Sequence, residues 1–182
     1  MSSKYKFRDQ EKLYFVTSTI IDWVDVLIRN EYREILLGQI KYNQANKGLE
    51  VYAWCFMTSH IHMIIGTTGE KMEVILQGLK SITSRKLREA ITNNTQECRR
   101  EWLLEKFNRA GSLNKHNGGF QFWQEGNHPI ELSNNDILNQ KLDYIHNNPV
   151  ESGFVERPED WLWCSARDYA GVKGLLDIKF IQ

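Results

Sequence analysis

LEVYAWCFM (49–57), TS (58–59) and HIHMIIGT (60–67) are two apolar runs parted by two residues, the length of a tight hairpin connection, so they predict two adjacent antiparallel strands. Upstream, LYFVTSTII (13–21) is rich in β-branched and aromatic residues and predicts a first, buried strand. Between them, Tyr32, Ile35, Leu36 and Ile40 recur at helical spacing over 31–46, and Gly48 stands where a glycine cap belongs. Downstream, Met72, Ile75, Leu76, Leu79, Ile82 and Leu87 trace a second amphipathic helix. Residues 120–132 look strand-like but are broken by Gly126 and Pro129. A third helix over 136–147 has Asn134 or Asn135 as its N-cap and Pro149 to end it. Strand, helix, hairpin, helix and further strand make an α+β, ferredoxin-like or RRM-like sandwich, an antiparallel sheet with helices on one face. The late helix, a nucleic acid, or both in turn would cover the other face.

The chain has 182 residues, 41% hydrophobic and 25% charged, enough to bury one core, and it reads as a single domain over 1–182. Residues 92–119, with five Asn and three Gly, read as a flexible insertion within it. No apolar stretch is long enough to span a bilayer, and residues 1–12 lack the apolar middle of a secretory signal. Cys55, Cys98 and Cys164 make no paired framework and no CxxC motif, which predicts a cytoplasmic location. The 23 basic residues are matched by 23 acidic ones, so the chain does not coat nucleic acid by charge alone. Locally, residues 77–116 carry nine Lys/Arg against four Glu, which alone reads as a solvated helix face.

His60-Ile61-His62 is the sharpest chemical feature. Strand residues i and i+2 point to one face, so both imidazoles project together while Ile61, Met63 and Ile65 take the other. Two neutral imidazoles side by side suit a divalent metal with positions left for a third ligand, water or substrate oxygen. An HxH pair alone is equally two histidines with ordinary hydrogen-bond partners. On the third helix Leu138, Leu142 and Ile145 form an apolar seam, whereas Tyr144 lies off it and shares its face with Asn148 at i+4. That pair reads either as a hydroxyl and an amide aimed at one place or as the edge of the core.

WCFMTSHIHMII (54–65), then FQFWQEGNHPIEL (120–132), then LDYIHNNPVESGFVERPEDWLWCSARDYAG (142–171) follow one another in a specific order. From Tyr14 to Gly171 the chain resembles the HUH-type single-tyrosine transposases, and within them the REP-associated tyrosine transposases. The resemblance implies His60 and His62 as metal ligands, Asn148 as the polar residue completing that metal site, and Tyr144 as nucleophile. It implies Mg²⁺ or Mn²⁺ as cofactor and single-stranded DNA beside a hairpin as substrate. The activity implied is strand cleavage and transfer through a covalent 5′-phosphotyrosine link with a free 3′-hydroxyl, by a monomer or homodimer. A phenol, protonated at neutral pH, must lose its proton as it attacks phosphorus. An inactive hairpin-DNA-binding module of the same fold is the alternative, and a hydrolase activating water with His60 and His62 is a more distant one. Thr58 and Ser59 stand where many relatives have Pro followed by Asn or Glu. Arg85, Lys86, Arg88, Arg99 and Arg100 are the expected phosphate contacts. His116, His128 and His146 read as structural or surface residues, His128 being the likeliest exception, and Trp161 and Trp163 as packing the tail onto the core.

Overall fold

The computed structural model describes residues 6–114 and 119–181. Its elements are β1 (Tyr14–Thr19), α1 (Asn30–Lys47), β2 (Leu49–Phe56), β3 (His60–Thr67), α2 (Met72–Asn93), α3 (Arg100–Leu113), β4 (Ile130–Glu131), α4 (Asn135–Glu151) and α5 (Ala166–Tyr169). The strands form one antiparallel sheet in the order β2-β3-β1-β4. This is the α+β sandwich expected from the alternation of apolar runs.

Strand periodicity divides the sheet into two chemically distinct faces. Tyr14 and Val16 of β1, Val51, Trp54 and Phe56 of β2, and Ile61, Met63 and Ile65 of β3 pack with Leu36 and Ile40 of α1 and Leu76 and Leu79 of α2. Each large apolar side chain removed from water there contributes roughly 1.5–3 kcal/mol before entropic costs. The opposite face carries Phe15, Ala53, Cys55 and Ile64, covered by Ile145 of α4 and by Cys164 and Ala166. A register shift in β2 between Val51 and Ala53 switches the parity, so that Val51 before it and Trp54 and Phe56 after it all face the helices.

Gly48 ends α1 with φ of 72°, and a side chain there would come within 2.5 Å of the Gly69 amide nitrogen. The expected glycine cap therefore forms, and it also admits the close approach of the loop after β3.

Three expectations need correction. Residues 92–119 are not a loop throughout: α3 fills their middle and buries Leu103 and Phe107, which lie four residues apart on one helix face. His116 lies outside the described residues. Over 120–132 only Ile130–Glu131 is a strand, although Gln124 N–H donates to the Thr19 carbonyl and Thr17 N–H to the Asn127 carbonyl, so an irregular segment lines the edge of β1. Finally, Pro149 lies inside α4, which runs two residues further to Glu151. Proline removes one donor from the helical ladder, and so near the C-terminal end little ladder remains to be lost. Among the described residues no helix is long and apolar enough to cross a membrane.

Candidate active site

β3 carries the two imidazoles onto the face opposite α1 and α2. Their partners across the ladder are Thr19 for His60 and Thr17 for His62 on β1, and Cys55 for His62 on β2. The two rings stand 4.7 Å apart at 71°. His62 stacks on Phe15 at 5.4 Å, and its Nδ1 shares a 2.8 Å hydrogen bond with Thr17 Oγ1. His60 Nδ1 lies 3.2 Å from Ser59 Oγ. Thr58 and Ser59 also brace the chain leaving β1, because their carbonyls accept from the N–H groups of Leu27 and Ile20. The departure from the Pro-Asn/Glu pattern thus leaves a well-bonded turn.

Burial sets the protonation state of the pair. It pushes His60 down to about 4, and it pushes His62 down to about 3 with help from the charges of His60 and Lys141. Both rings are therefore neutral at neutral pH, the form that donates a lone pair. His62 Nε2 is buried with no hydrogen-bond partner among the described residues. When Nδ1–H donates to Thr17, that lone pair is left for a Lewis acid, so the orphaned atom fits a metal ligand.

α4 delivers the phenol to the same place. Asn134 caps the helix by accepting from the Ile137 N–H, and the seam of Leu138, Leu142 and Ile145 packs against the sheet. Tyr144, off that seam and 41% exposed, lies over the histidine face with its ring 5.1 Å from His62 and 5.9 Å from Phe15. Asn148, one turn further along the helix, is buried. Among the described residues, no group of three or more His, Cys, Asp and Glu side chains gathers to hold a metal. The Asn148 amide, one turn beyond Tyr144 on α4, carries an oxygen donor of the kind that suits a hard or borderline divalent ion.

The structure thus unites His60, His62 and Tyr144 within one chain and places Asn148 a turn away. It does not bring the expected basic residues to them. Arg85, Lys86 and Arg88 are exposed on α2, which packs on the other sheet face, while Arg99 is paired with Asp25 and Glu97 and Arg100 begins α3. His146 is held by Ser165 and Tyr169, and His128 is exposed with φ of 44°. Trp161 and Trp163 flank the buried Arg33 guanidinium at 5.0 and 5.4 Å and pack the tail onto the core.

Three neighbours escape sequence reasoning. Thr17 is adjacent only through strand register, Trp23 meets the His60 ring edge-to-face at 5.2 Å, and Lys141 puts its Nζ 4.9 Å from the Phe15 ring and 5.5 Å from that of Tyr144. Lys141 alone was legible, since it precedes Tyr144 by three residues and so shares its side of the helix.

A family model described as IS200-like transposase matches residues 23–148, from the tryptophan beside His60 to the amide after Tyr144. The chain belongs to the IS200-like transposase family. Membership places it among enzymes of DNA cleavage and transfer. Within this transposase family it is 28% identical over 160 residues to a Haemophilus influenzae protein named as a REP-associated tyrosine transposase, covering 84% of this chain and 78% of that one. The fold is shared with a REP-associated tyrosine transposase solved bound to a REP hairpin, with a TM-score of 0.66 at 18% identity over 100% of this chain and 96% of that one.

Proposed function

We propose that this transposase cleaves and rejoins single-stranded DNA beside a hairpin, with Tyr144 as nucleophile and His60, His62 and Asn148 as ligands of a divalent metal. The observation that carries the reading is the approach of the Tyr144 ring to 5.1 Å from His62, itself beside His60, in one chain. The REP hairpin held by the structural relative supports hairpin-flanked DNA as the substrate class.

Tyr144 Oη attacks the phosphorus in line, forming a phosphotyrosine bond as the bridging 3′-oxygen departs. The phenolic proton is lost and the departing oxygen gains one, leaving a 3′-hydroxyl and a 5′-phosphate esterified to the protein. A 3′-hydroxyl attacking in reverse restores the phosphodiester and the free phenol, so bond energy is conserved and no nucleotide is consumed. When bound, the metal supplies charge neutralisation at the non-bridging phosphate oxygens and at the leaving oxygen. The chain's own residues orient the reacting groups: Thr17 and Ser59 set the two rings, and the apolar seam of α4 sets the phenol. Mg²⁺ prefers oxygen ligands and few nitrogens, so two imidazoles favour Mn²⁺ over Mg²⁺.

The test mixes the full chain with end-labelled hairpin oligonucleotides bearing single-stranded arms and Mn²⁺. A denaturant-resistant protein–DNA adduct is expected with the wild type and at background with Tyr144→Phe. Cleavage that survives Tyr144→Phe would instead assign the histidines to water activation. Hairpin binding with neither adduct nor cleavage would leave a binding module.

A further inference from the structure

We infer that Trp23 is a stacking platform for an unpaired nucleobase next to the phosphate bound at His60 and His62. The inference rests on the DNA-cleavage reading and deepens it by naming a residue that grips the strand. Trp23 is 59% exposed although it lies between Ile20, fully buried, and Val24, 7% exposed. Its ring therefore does little for the core. The ring meets His60 in a T-shaped contact at 5.2 Å, which puts the exposed indole beside the candidate metal site.

The backbone under it is unusual. Asp22 and Trp23 both adopt left-handed conformations, with φ of 52° and 57°, where a large side chain is disfavoured. Such strain persists only where the surroundings hold it, and it concentrates at binding sites. Here the surroundings do hold it: Ile21 N–H donates to the Phe122 carbonyl, Trp23 N–H to the Ile20 carbonyl, and the next turn is tied to Thr58 beside the histidines. Asp22 is further fixed by Lys106 at 2.8 Å, and the same ammonium lies 5.5 Å from the ring of Trp102, a second tryptophan 49% exposed. An exposed indole against the histidine pair, with a second exposed indole beside an ammonium paired to the neighbouring Asp22, matches the aromatic and cationic lining that holds unpaired strands.

The experiment uses the full chain and an oligonucleotide with a GC hairpin flanked by ten-nucleotide degenerate arms, since stacking tolerates any base. Affinity is read by fluorescence anisotropy. A parallel probe carries 5-iodouracil in the arms, and its photo-crosslink is mapped by mass spectrometry. Trp23→Ala is expected to weaken binding by about 5- to 150-fold, and Trp23→Phe to retain most of it. The crosslink is expected on Trp23. Wild-type binding that is unchanged in Trp23→Ala, with crosslinks elsewhere, overturns this inference and leaves the DNA-cleavage reading standing. A change of oligomeric state in Trp23→Ala with unchanged affinity assigns the ring to a second copy and overturns it too. No retention of the probe by the wild type overturns both readings together. Because the side chain is exposed, an unchanged melting temperature of Trp23→Ala confirms that folding is not what is lost.

Discussion

At the scale of single residues, Thr17 decides how His62 presents itself. Its hydroxyl lies 2.8 Å from Nδ1, so the ring is held in one orientation, and the buried Nε2 is left without a hydrogen-bond partner among the described residues. Partners of this kind typically contribute 10- to 100-fold in metal affinity. Thr17→Val keeps the shape and the strand preference but deletes the hydrogen bond. We expect it to raise the Mn²⁺ dissociation constant, read by calorimetry, by about 10- to 100-fold, with Thr17→Ser restoring it. An unchanged constant would show that ring orientation is set by the Phe15 stack alone. Strand alternation put His60 and His62 on one face and helical spacing set Tyr144 off its apolar seam, while their meeting in one site was implied by the resemblance to the single-tyrosine transposases. Thr17 was not legible, because it neighbours His62 only through a β1–β3 register that no local pattern encodes. Trp23 was hidden for another reason: its left-handed backbone is imposed by tertiary hydrogen bonds, without the Gly or Asn that usually marks such a turn.

At the scale of elements, the helices and the hairpin were readable from period, and α3 was not. Its apolar residues lie in a stretch, 92–119, with five Lys/Arg, five Asn and three Gly, so the local composition resembled a loop while tertiary burial of Leu103 and Phe107 made a helix. What ties α3 in place is the linker before it. The Glu97 side chain is 1% exposed and accepts from Arg29 Nε at 2.6 Å, while Arg99 bonds Glu97 through its backbone N–H and Asp25 through its guanidinium. Burial alone would push the Glu97 carboxyl up, but the Arg99 N–H and the Arg29 guanidinium outweigh it and hold the carboxyl below its ordinary value of 4.5. A depressed carboxyl adds stability that is complete above the unfolded value and is lost as pH falls through the lower folded value. Glu97→Gln is therefore expected to cost about 2 kcal/mol at pH 7, a melting-temperature drop of about 4–8 °C. The gap between wild type and variant should close as pH falls below about 4.5. A gap independent of pH would assign the loss to packing instead of charge.

At the scale of the whole molecule, the balance of 23 basic and 23 acidic residues constrains how DNA can be held. Of the local excess over 77–116, Arg85, Lys86 and Arg88 are exposed on α2, in the layer opposite the histidines. The histidine face offers Lys141, with Lys106 already paired to Asp22. If DNA binds at that face, the proposed metal site and stacking would carry it, and these release few counterions. For single strands the logarithm of affinity falls with the logarithm of salt by about 0.7 per neutralised phosphate. With about three such contacts, raising salt from about 50 to about 200 mM weakens binding by roughly 20-fold, whereas a charge-led binder loses about 10³- to 10⁵-fold. Anisotropy titrations of the hairpin probe across that range decide between the two. A steep loss that flattens in Arg85→Ala/Lys86→Ala/Arg88→Ala would move the DNA path onto α2. A shallow one unaffected by those changes keeps it on the face that Tyr144 and the two imidazoles share.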